Sequence, residues 1–205
     1  MIDTIIVDFG DVFINLDKPA TERALFNLGV TSITLDMLET AKLYEKGEIS
    51  TTDFVCAFRA KYPSISETQF KNAWNSIILD FPEYRLEFIE QLSTSKTYNL
   101  ILLSNTNALH IEKVIENMSL DRYERFKNCF KKFYLSYEIG LRKPDQSIYE
   151  FVVKENNLKA TSCFFVDDTK ENTAAAAQLG IQTWNNNPKK EDIINLFDHP
   201  LFINS

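Results

Sequence analysis

Three short polar clusters and one lysine carry the chemistry that can be read from this sequence. Asp8 follows the apolar run Ile5-Ile6-Val7, Ser104-Asn105-Thr106 follows a run ending at Leu103, and Asp167-Asp168 follows Cys163 to Val166. Lys143 lies between the second and third clusters. Asp8 and Asp168 are hard oxygen donors, and without His or Cys beside them they suit Mg²⁺ and disfavour zinc. A carboxylate can also be a nucleophile and form an aspartyl-phosphate. Ser104 can donate its hydroxyl, and the backbone N–H groups of Asn105 and Thr106 stand at a helix start, where anions bind. Lys143 supplies compensating positive charge for the equatorial oxygens of a phosphoryl group. Together these groups compose phosphoryl transfer. His110 and His199 lie away from every strand end, so a histidine acid or nucleophile is not expected.

Each residue also has a plain structural use. Asp8 could begin a turn, and Ser104 or either aspartate of the pair could cap a helix. Convergence on one edge is what argues for a site, and it requires neighbouring parallel strands. In open α/β sheets ligands bind outside the carboxyl ends of the strands. Strands are expected at Ile5 to Val7, Tyr98 to Leu103, Phe133 to Leu135, Cys163 to Val166 and Ile181 to Trp184. Helices are expected near Ala108 to Met118, Asp145 to Asn157 and Glu171 to Leu179. That alternation implies a parallel sheet covered on both faces.

The stretch between the first two strands reads as helical throughout. Pro19 suits a first turn and Gly29 a C-terminal cap, Thr34 to Lys46 stops at Gly47, and Ser50 to Tyr62 precedes Pro63. Ser66 to Leu79 follows, and Pro82 opens a helix through Leu92. The core is therefore expected at residues 1–15 and 93–205, with a helical insert at 16–92.

Composition narrows the partners. The 205 residues hold 22 basic against 29 acidic side chains, a net charge of −7, which argues against nucleic acid or an anionic membrane as the main partner. There are only five glycines, at 10, 29, 47, 140 and 180, so neither G-x-G-x-x-G nor the P-loop pattern can be drawn. Phosphate, if handled, is handled without a glycine-rich cradle. Cys56, Cys129 and Cys163 are odd in number and lack C-x-x-C spacing, which reads as reduced, space-filling thiols. The N-terminus lacks a basic n-region and no apolar run approaches about 18 residues, so a signal peptide or membrane span is not expected. The expected location is cytoplasmic. The sequence leaves the oligomeric state open.

The chain resembles the haloacid dehalogenase superfamily of hydrolases across nearly its whole length. IIVDFGDVFINLD is similar to the family's first motif, LILLSNTNALH to its second, SYEIGLRKPDQSIYEFV to its third and FFVDDTKENTAAAAQLG to its fourth, in the family's order. The insert resembles the helical C1 cap, and the bacterial sugar-phosphate phosphatases, including those acting on glucose 1-phosphate, are the nearest likeness. The resemblance implies an α/β fold, a Rossmannoid three-layer sandwich with a mainly parallel sheet and a small α-helical cap inserted after the first strand. It implies a Mg²⁺-dependent phosphatase acting on a small phosphorylated substrate through an aspartyl-phosphate.

Carried over by position, Asp8 would be nucleophile and metal ligand, with the Gly10 carbonyl and Asp168 completing the metal set. Asp167 would act through a water or orient the site, Ser104 and Lys143 would bind the phosphoryl group, and Asn172 would hold the Lys143–Pro144 loop. Tyr44 to Ile49, pivoting at Gly47, would be a cap segment near the site. One position departs from the family pattern. The usual second aspartate, two residues after the nucleophile, serves as general acid and base, and here it is Gly10. Asp11, one residue on, should point elsewhere. That gap implies esters with good leaving groups, hence sugar 1-phosphates before 6-phosphates. Two alternatives stay open: a 2-haloacid dehalogenase-type hydrolase, which would need no metal, and a non-catalytic phosphate-binding regulatory protein that has lost turnover.

Overall fold

Side chains that point alternately into two buried clusters along five short strands set the architecture. The computed structural model describes residues 1–203. Strands β1 (Thr4–Val7), β2 (Asn99–Ser104), β3 (Lys132–Leu135), β4 (Cys163–Asp167) and β5 (Gln182–Asn185) form one sheet in the order β3-β2-β1-β4-β5. Every pairing is parallel. Ile5, Val7, Leu100, Leu102, Phe164 and Val166 face one apolar cluster, while Ile6, Ile101, Leu103 and Phe165 face a second. Both faces are therefore covered, which is why these strands are nearly continuous apolar runs. Central β1 is flanked by β2 and β4, so Asp8, Ser104 and Asp167 end three adjacent strands.

The first face is covered by α5 (Glu83–Ser95), α6 (Ala108–Met118) and α7 (Leu120–Asn128). The second is covered by α9 (Gln146–Glu155) and α10 (Lys170–Gln178), α9 following the single turn α8 (Ser136–Ile139). A last short helix, α11, spans Pro200–Ile203. Among the described residues no helix is long and apolar enough to cross a membrane.

The insert is the four helices α1 (Ala20–Asn27), α2 (Leu35–Glu45), α3 (Thr51–Lys61) and α4 (Glu67–Asn75), which share a separate apolar cluster. Two reciprocal capping boxes start α3 and α4, Ser50 with Asp53 and Ser66 with Gln69. The chain leaves and returns through paired segments: Asn15 N–H donates to Asp80 O, Leu79 N–H to Asn15 O and Asp17 N–H to Ile77 O. Buried Arg85 ties this neck down, donating to Phe13 O and the Asn15 side chain and pairing with Asp192.

Two differences from the sequence reading have physical causes. Helix α5 was expected in the insert, yet Leu86, Ile89 and Leu92 pack with the sheet, so the neck closes at residues 77–80. Helix α7 was not expected at all. LDRYERFKN is polar at most positions and buries only Tyr123 and Phe126, so few apolar residues mark it as an element. Of the thiols, Cys129 and Cys163 are buried, and burial pushes both up to about 11, whereas Cys56 is exposed and fills no space.

Candidate active site

The site is organised by one buried ammonium. Lys143 is 1% exposed, and its Nζ donates at 2.7 Å to Asp8 Oδ1, to Asp167 Oδ2 and to the backbone oxygen of Leu103. Burial works against its charge, but Asp167 and Asp8 outweigh that cost and hold its pKa above the ordinary lysine value. Burial in turn pushes Asp8 up to about 7, against the pull of Lys143. Asp168 is also raised, by burial partly offset by Lys18. Asp8, Asp167 and Asp168 present oxygens within 4.8 Å of one another. This all-carboxylate set fits a hard divalent cation such as Mg²⁺.

Surrounding polar groups fix these side chains. Asn105 clamps the Lys143 backbone, with its Nδ2 donating to Lys143 O at 2.7 Å and its Oδ1 accepting from Lys143 N–H at 2.9 Å. The loop-holding role expected of Asn172 thus lies with Asn105. Asn172 instead donates to both oxygens of Asp167, at 3.1 and 3.0 Å, and Thr169 N–H donates to the same carboxylate. The anion site expected at the Thr106 N–H is also corrected: that group donates to Ser136 Oγ at 3.0 Å. Helix α6 starts only at Ala108, with Asn107 as its cap, so Thr106 precedes the helix. Ser104 is buried at the end of β2.

Gly10 sits beside the candidate nucleophile. A Cβ there would lie 2.8 Å from Leu16 Cδ1 and 4.0 Å from Asp8 Oδ2, so Leu16 occupies the space of the missing acid. Asp11 accepts from Leu16 N–H and pairs with Lys18 at 3.2 Å. Lys18, which the sequence reading passed over, also pairs with Asp168. It is a half-exposed lysine in the neck, and nothing in its spacing signals that it meets β4. His110 stacks on Trp74, and desolvation lowers its pKa to about 4, leaving it neutral and outside the carboxylate cluster.

The insert docks where the Lys143 loop begins. Glu45 pairs with Arg142 at 3.0 Å, Ser136 Oγ donates to Glu45 O, and Tyr44 OH accepts from Leu109 N–H. Gly47 lies at φ +67°, and a Cβ there would meet Tyr137 O at 2.1 Å. Gly47→Ala should cost about 1–3 kcal/mol from backbone strain and overlap, read as a lowered denaturation midpoint. An unchanged midpoint would place this loop away from the core.

A further expectation concerns pH. In the metal-free protein Asp8, raised to about 7, keeps a proton that the unfolded chain, at 3.8, has released. Its contribution to stability is therefore greatest at low pH and is lost as pH rises through about 7. A bound dication favours the ionised carboxylate and removes that loss. The thermal stabilisation given by Mg²⁺ should grow between roughly pH 5.5 and pH 8; equal shifts at both ends would contradict the assignment of Asp8 to the metal.

Comparison with known proteins gives the family. The profile of the haloacid dehalogenase-like hydrolases matches residues 2–180. D-ribitol-5-phosphate phosphatase of Bacteroides thetaiotaomicron is 27% identical over 195 residues, covering 90% of this chain and 91% of that one. A HAD family enzyme of the same organism, solved as a magnesium complex, superposes with a TM-score of 0.85 at 32% identity, covering 96% of this chain and 98% of that one. It has also been solved with magnesium and inorganic phosphate. A HAD-like hydrolase from Porphyromonas gingivalis gives a TM-score of 0.75 at 26% identity over 90% of each chain. By its matched profile and its fold, the chain belongs to the haloacid dehalogenase-like hydrolases.

Proposed function

We propose that the protein is a Mg²⁺-dependent phosphatase that hydrolyses a small phosphorylated metabolite through an aspartyl-phosphate on Asp8. The observation that supports this most is the Lys143 ammonium held 2.7 Å from both Asp8 and Asp167 at the end of the central strand. Asp8 attacks phosphorus, the bond from phosphorus to the alcohol oxygen breaks, and that oxygen takes a proton from solvent. Water then hydrolyses the acyl phosphate, releasing inorganic phosphate and restoring Asp8. Lys143, Ser104 and the Asn105 N–H hold phosphoryl oxygens. Asp8, Asp168 and the Gly10 carbonyl would hold the metal, which neutralises charge on the phosphoryl group. Asp167 and Asn172 position Lys143. Magnesium and phosphate complexes of a relative support the same reading.

The absence of a carboxylic acid at residue 10 bears on the leaving group. General acid catalysis is worth about 10²–10⁴-fold, so esters whose alcohols leave unaided should be favoured. Turnover of a phosphate-ester panel with Mg²⁺ and with EDTA tests the function. We expect Mg²⁺-dependent hydrolysis, faster on sugar 1-phosphates than on 6-phosphates. In Gly10→Asp combined with Leu16→Ala, which clears the overlap at 2.8 Å, the 6-phosphate rate should rise at least tenfold relative to the 1-phosphate rate. Halide release insensitive to EDTA would favour the dehalogenase reading. Phosphate binding without release would favour the non-catalytic one.

A further inference from the structure

Inside the insert lies a cavity of about 580 Å³. Its walls include Leu25, Ile33, Met37, Phe54, Phe58 and Trp74, contributed by α1 to α4 and the α1–α2 loop. The charged residues that line it, Lys18, Glu22, Asp36 and Lys61, are exposed and stand at its rim, with Asp36 and Lys61 paired to each other. The volume is in the range of small-molecule sites, about 300–1,000 Å³.

Two contacts join this cavity to the strand ends. Lys18 lines it and reaches Asp168 after β4. Trp74 lines it from the opposite side of the neck and donates from Nε1 to Asn107 Oδ1 at 3.4 Å, three residues beyond Ser104 of β2. Lys18 is thus common to the cavity and the carboxylate cluster, and Trp74 ties the cavity wall to the residue that caps α6.

We propose that this cavity receives the non-reacting part of the substrate and that this part is apolar, so the preferred substrates are monoesters of hydrophobic alcohols. The proposal rests on the phosphatase reading for the position of the phosphoryl group, and it adds the class of alcohol. Gly10 bears only on the oxygen that leaves; the cavity bears on the carbon skeleton behind it. Hydroxyls placed against Leu25, Met37 and Phe58 would go unpaired there, a cost that hydrocarbon avoids.

The test is calorimetric titration, in Mg²⁺, with n-alkylphosphonates from methyl to octyl, which bind without being hydrolysed. The dissociation constant should fall roughly two- to fourfold for each added methylene until the cavity is full. Ala41→Phe, which places a ring among the lining residues, should weaken octylphosphonate more than methylphosphonate. A dissociation constant independent of chain length, tighter binding of a polyol phosphonate, or equal weakening of both ligands by Ala41→Phe would each overturn the proposal. Because binding is read without turnover, a chain-length dependence in a protein that releases no phosphate would uphold the cavity and reject the phosphatase reading. Turnover with a flat dependence would do the reverse.

Discussion

Asp8→Asn should lower turnover by roughly 10³-fold or more and still give a folded protein. The amide matches the carboxylate in shape but cannot form an acyl phosphate. It also removes one of the three carboxylates whose oxygens lie within 4.8 Å of each other, so the stabilisation given by Mg²⁺ should shrink with it. The fold should tolerate the change because burial already disfavours the Asp8 charge, pushing it up to about 7. Lys143 keeps Asp167 and the Leu103 carbonyl as partners. An inactive protein with a wild-type unfolding curve is therefore the expected outcome. Turnover near the wild-type rate would remove Asp8 from the mechanism.

Lys143→Met should act on stability as much as on activity. It leaves Asp8 and Asp167, 8% and 0% exposed, facing each other without their shared cation. Removing one partner from a buried ionic cluster costs about 3–5 kcal/mol. The two carboxylates can recover part of that by keeping a proton between them, since like charges at short range raise a carboxylate pKa. The folded variant then holds a proton that the unfolded chain releases above 3.8, so its deficit should widen as pH rises. Denaturant unfolding at about pH 5.5 and pH 8 reads both the size and the slope. A deficit that is small, or larger at the acidic end, would contradict the cluster. Loss of the phosphoryl-binding cation should also cost about 10²-fold or more in rate.

Much of this site was legible because its chemistry lies at the ends of strands that are themselves plain. Ile5-Ile6-Val7 and Cys163 to Val166 are buried on both sides, so their apolar runs are unbroken and the first polar residue after each marks an edge. The burial of Lys143 was not legible, since nothing local in the sequence shows it. What was misassigned depended on side-chain direction. Asn105 and Asn172 are both amides near the carboxylate cluster, and only the structure tells that one grips the Lys143 backbone and the other Asp167. Thr106 likewise offers its N–H, but Ser136 arrives from another strand end to take it. Lys18 and Arg85 could not have been found: each meets an aspartate more than a hundred residues away, and the local pattern around each is that of an ordinary solvated charge. The boundary of the insert failed for a related reason. Amphipathic helices look alike whether they pack on a sheet or on each other, and α5 does the former.

The glycine position next to Asp8 concentrates what is distinctive about this chain. Leu16, at the neck of the insert, fills the space of a residue 10 side chain, while Asp11 is held by Leu16 N–H and Lys18. The first-strand loop is thus shaped by apolar packing against the neck and by the Asp11 carboxylate, with no carboxylate at residue 10. An alcohol that leaves unaided and a cavity with apolar walls are compatible demands on one substrate.

A covalent intermediate at Asp8 is central to the proposed mechanism, and acid-quenched mass spectrometry during turnover of a good substrate with Mg²⁺ tests it most directly. The peptide carrying Asp8 should gain the mass of one phosphoryl group, be lost under mild base as acyl phosphates are, and show no such gain in Asp8→Asn. Sustained phosphate release with no modified peptide, or the same modification on a different residue, would contradict it.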